Sequence, residues 1–107
     1  MQFQEARQLL ERKGIQLGRE LPRLTLDVQC KKPGWHESML YELGWVQKDG
    51  EKFSVIVTNL PQFCGPGWRE ISGGKPLMIE CQTADELVEL LVNTLTPRMV
   101  EGVLLAE

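Results

Sequence analysis

Three thiols and one imidazole are the side chains with which this 107-residue chain could carry out nucleophilic or metal chemistry: Cys30, Cys64, Cys81 and His36. Cys64 heads the most unusual segment, Cys64-Gly65-Pro66-Gly67-Trp68. A thiol in such a loop becomes a nucleophile only if a histidine, another base or a helix N-terminus lowers its pKa. His36 is the one histidine, and it stands beside Trp35 in a different turn. No known spacing couples the two, and free cysteines ordinarily behave as small hydrophobes. No catalytic residue is therefore assigned. Structural zinc sites show close ligand pairs such as Cys-x₂-Cys. The chain has none, so no metal and no cofactor is expected.

Binding chemistry has more to work with. Trp35 and Trp68 lie in turns built from glycine and proline, Pro33-Gly34-Trp35-His36 and Gly65-Pro66-Gly67-Trp68. Aromatic rings in loops bring large contact area at low entropic cost. If both loops meet at one end of a sheet, they would frame a shallow apolar pocket. His36, Arg69 and Glu70 would be its polar points. The candidate binding residues are thus Trp35, His36, Cys64, Trp68 and Arg69. The alternative for the two indoles is that they cap the core.

Other chemistry finds no template. There is no GxGxxG after a strand, no P-loop, no GxSxG and no HExxH. The net charge is −3, and no basic stretch is interleaved with aromatics. Nucleic acid is a poor partner for such a chain. The charge is unevenly spread: seven basic against four acidic residues in 1–35, then five against eleven in 36–107. The acidic part suits a basic protein partner.

These residues need elements to hold them. At this length about 65% of the unfolded surface is buried on folding, enough for one core. One domain over residues 1–107 is expected. Phe3, Ala6, Leu9, Leu10 and Lys13 predict a helix over 2–13, ended by Gly14. Ile15 and Leu17 are expected to tuck under it. Period-two alternation predicts strands at 24–31, 38–47 and 52–59. The last two should form a hairpin around Lys48-Asp49-Gly50. Two registers compete there. A two-residue Asp49-Gly50 loop leaves apolar groups on both faces. A three-residue loop pairs Gln47 with Glu51 and Trp45 with Phe53, and gathers the apolar groups on one face. The second is preferred, because a one-residue slip flips every side chain.

Residues 60–75 read as a long irregular stretch, and 76–82 as a strand with Leu77, Ile79 and Cys81 on one side. Thr83 to Glu86 is a capping box that opens a helix through Leu95. Thr96-Pro97 reads as the start of a last helix, with a stripe of Met99, Val100, Val103 and Leu104. The expected fold is α+β and two-layered: a four-stranded antiparallel meander packed on an N-terminal helix and two C-terminal helices, in the order α-β-β-β-β-α-α.

No apolar run reaches the roughly 18 residues of a membrane span, and no secretory signal is visible at the start. An odd cysteine count then points to a reducing, cytoplasmic setting. The size, the missing catalytic motif and the two-layer build fit small prokaryotic accessory proteins, among them toxin-immunity proteins, mobile-element cargo and regulatory subunits. The expected function is a non-catalytic interaction module. It would contact a protein partner or a second copy through the C-terminal helix or the tryptophan-bearing loops. The alternative is a small-molecule binder or minor enzyme with a pocket near Cys64–Trp68.

Overall fold

Helix α1 (Phe3–Arg12) forms where the 3.6-residue period places Ala6 and Leu10 on one stripe, and both are fully buried. These positions come from a computed structural model, which describes residues 1–18, 23–58 and 77–105. Gly14 ends the helix with φ of +84°, a conformation that glycine adopts without steric cost. Ile15 and Leu17 are buried, as expected, and they form a short strand, β1 (Ile15–Leu17), that the sequence reading did not expect. The Arg7 guanidinium donates to the carbonyls of Leu17 and Gly18 and so straps α1 to the end of β1.

Strand β2 (Arg23–Lys31) buries Leu24, Leu26, Val28 and Cys30 on one face, as its alternation predicts. β3 (Met39–Asp49) runs antiparallel to it. The pairing steps from Leu26↔Gly44 to Asp27↔Glu42, so Leu43 is an extra residue in β3, a β-bulge. The bulge changes the phase of the strand. Leu43 and Val46 both enter the core, although three residues apart.

That phase change overturns the expected hairpin register. β4 (Lys52–Val57) pairs Asp49 with Lys52, Gln47 with Ser54 and Val46 with Val55. The loop is Gly50-Glu51, with Gly50 at φ of +64°; glycine at the first of two loop positions is the type II′ arrangement. Neither weighed register contains this pairing. Trp45 stands opposite Ile56, not Phe53, and lies on the outer face of the sheet, half-buried. The expected core face of β4 is correct: Phe53, Val55 and Val57 are buried.

β5 (Leu77–Cys81) pairs with β4. Helix α2 (Ala84–Leu95) follows, capped as its sequence predicts. The Thr83 hydroxyl accepts from the Glu86 N–H at 3.2 Å, and the Glu86 carboxylate accepts from the Gln82 N–H at 2.7 Å. Leu87, Leu91 and Leu95 recur every four residues and are buried. Each such side chain contributes about 2 kcal/mol of transfer free energy.

The expected third helix is absent. Thr96–Arg98 make one 3₁₀ turn, and the chain then forms a hairpin of β6 (Met99–Val100) and β7 (Val103–Leu105). Glu101 and Gly102 have φ of +51° and +77°, so both loop residues are left-handed, as a two-residue type I′ turn requires. Met99 and Leu104 face inward while Val100 faces out, which splits the supposed helical stripe between two faces.

The described residues thus build two helices against one face of a curled seven-stranded sheet, in the order β5-β4-β3-β2-β7-β6, with β1 also on β2. It is a mixed sheet and not a four-stranded antiparallel meander, because β7 runs parallel to β2. β1 and β7 share one edge of β2, end to end: β1 covers Leu26–Val28 and β7 covers Gln29–Lys31. At that joint a Cβ on Gly14 would lie 2.8 Å from the Gly102 carbonyl oxygen.

Candidate interaction surfaces

Of the expected binding residues, Trp35 and His36 are placed. Pro33-Gly34 makes the turn the sequence predicts: the Trp35 N–H donates to the Lys32 carbonyl at 3.0 Å, and Gly34 takes φ of +89°. The Lys32 ammonium lies 5.6 Å from the centroid of the Trp35 ring, a cation–π contact. Trp35 is half-buried and His36 exposed. Cys64, Trp68, Arg69 and Glu70 lie outside the described residues, as does the whole stretch 60–75. The expected pocket between two tryptophan-bearing loops therefore falls beyond what the structure describes.

The remaining two thiols occupy the apolar strand faces assigned from the sequence. Cys30 is fully buried and Cys81 nearly so. Burial pushes the Cys30 thiol up to about 11. Cys81 is also raised, by burial first and then by the negative charge of Glu86. Both shifts run away from thiolate, so neither group is an activated nucleophile. Among the described residues, no cluster of His, Cys, Asp or Glu is arranged to hold a metal ion, and no polar or charged side chain is buried. No helix among them is long and apolar enough to cross a membrane.

Two surfaces emerge that sequence reading missed. The helices cover the inner face of the sheet, and the outer face carries large apolar groups. Register aligns Met78, Ile56, Trp45 and Thr25 in one row across β5, β4, β3 and β2. A second row runs Leu40, Gln29, Val103 and Val100 across β3, β2, β7 and β6. Met78 is 69% exposed, Val100 56% and Leu40 53%, values that mark apolar surface with no cover among the described residues. Asp27 and Glu42 pair between the rows. The bulge at Leu43 hides this face from sequence reading, because it moves Trp45 outward. The missed C-terminal hairpin conceals it further, because it brings Val100 and Val103 beside β2.

The second surface is an open groove of about 350 Å³ between β5 and α2. Ile79, Cys81 and Leu90 form its apolar floor, and Glu80, Glu86 and Glu89 its rim. A scan against family models and searches of curated proteins and solved structures find no match to this chain.

Proposed function

We propose that the chain is a non-catalytic protein-interaction module whose contact surface is the outer face of the sheet. The observation that supports this is the one-sided cover of that sheet among the described residues. Helices bury one face, while Leu40, Met78 and Val100 stand exposed on the other. Large apolar side chains exposed in two rows on one sheet face support reading it as a binding face. Asp27 and Glu42 between the rows give that face an acidic centre, which suits a basic partner. An accessory protein of the immunity type, set against a basic target in the cytoplasm, is the form of this reading that the charge favours. Contact through a C-terminal helix is withdrawn, since residues 99–105 form a hairpin. The small-molecule reading depends on Cys64–Trp68, outside the described residues.

The test is a double substitution, Leu40→Asp with Val100→Asp. Both side chains are more than half exposed, so the fold should be retained. Quantitative affinity capture from the source cells should then lose the proteins retained by the unaltered chain. An unchanged set of captured proteins contradicts the proposal.

A further inference from the structure

We infer that the groove between β5 and α2 takes an extended peptide rich in lysine or arginine, added to the sheet as a further strand. This goes beyond the outer-face reading by giving the molecule a second surface with its own ligand chemistry. Among the described residues β5 pairs with β4 on one side alone and closes the order of the sheet, so its other side presents a free edge. A free edge is a template for another strand, held by main-chain hydrogen bonds about 4.8 Å away.

Helix α2 stands beside this edge and turns it into a groove. Side chains of an added strand alternate in direction. Those turned inward would lie on Ile79 and Leu90, which favours Val or Ile at alternate positions. Those turned outward would run beside Glu80. Glu86 and Glu89 rim the helical side, and no basic residue lines the groove among the described residues. The Glu86 carboxylate is already oriented by the Gln82 N–H, so that charge needs little further ordering. With no counter-charge among the described lining residues, Glu80 meets the outward side chains directly and Glu86 and Glu89 add negative potential from the helical side, which selects a cationic strand over an acidic one.

The probe is a fluorescein-labelled peptide, Lys-Val-Lys-Ile-Lys-Val-Lys, followed by anisotropy at low and at physiological salt. Its companions are the same peptide with proline at the centre and the all-glutamate version, Glu-Val-Glu-Ile-Glu-Val-Glu. The basic peptide should bind, and both companions should fail. Proline removes a main-chain donor, and glutamate is repelled. Changing Glu80→Lys together with Glu89→Lys should weaken binding about tenfold. Both residues are exposed, and matching thermal unfolding would show that the variant is folded. Amide shifts on binding should map to Leu77–Cys81 and the neighbouring turns of α2. Equal binding of the proline peptide, indifference to the double lysine variant, or no binding of the basic peptide overturns the groove. Leu40→Asp with Val100→Asp should bind the probe like the unaltered chain. The groove and the outer face can therefore fail separately.

Discussion

Gly44 shows how much one missing methyl group carries. A Cβ there would come within 1.9 Å of the Ile56 carbonyl oxygen, a main-chain atom that cannot step aside. Gly102 is the contrasting case: its φ is +77°, but nothing lies within 4 Å of a Cβ. Gly44→Ala should therefore cost about 3 kcal/mol or more, or rearrange the hairpin. Gly102→Ala should cost about 1 kcal/mol, the strain of a left-handed alanine. Urea unfolding midpoints would rank the two, and equal costs would contradict the close approach at β3. Cys30 gives a pH test. Its folded pKa is raised, so its contribution is full below the ordinary thiol value near 9 and is lost as pH rises towards about 11. Stability should fall by roughly 2 kcal/mol more over that range in the unaltered chain than in Cys30→Ala. The difference between the two curves isolates the thiol from other groups that titrate there.

The elements legible in the sequence are those long enough to show a period. α1, β2 and α2 were readable because each repeats its apolar spacing over nine residues or more. Ile15–Leu17 and the two strands of the last hairpin were not, since two or three residues carry no period. Thr96-Pro97 imitates a helix start, and Met99, Val100, Val103 and Leu104 fit a helical stripe as well as a hairpin. The left-handed pair Glu101-Gly102 decides between them, and its only sequence signal is one glycine between valines. The Leu43 bulge likewise breaks an alternation that otherwise reads cleanly, and it misdirects Trp45. As for the expected site, the turn at Pro33-Gly34 was legible from its residue types, whereas the outer face depends on register. Leu104→Ala should cost about 3 kcal/mol, because Leu104 is fully buried, and Leu105→Ala under about 0.5 kcal/mol. A helical stripe would bury Val100 together with Leu104, whereas the hairpin leaves Val100 56% exposed. Thr83→Ala should cost about 1 kcal/mol by removing the α2 cap. Chemical denaturation checks all three.

At the scale of the molecule, the acidic charge acquires a location. Asp27 and Glu42 lie on the outer face between two apolar rows, while Glu80, Glu86 and Glu89 ring the β5–α2 groove. In the proposed contacts, apolar groups would supply the area and the carboxylates would select the sign of the partner. Burial keeps the Cys30 and Cys81 thiols protonated near neutral pH. Hydrogen exchange of a captured complex against the free chain tests the central claim most directly. The account predicts slowed exchange across Met39–Glu42 and Met99–Leu105, where the outer face carries Leu40, Val100 and Val103, with α1 unchanged. Protection confined to α1, or none across those two segments, would contradict it.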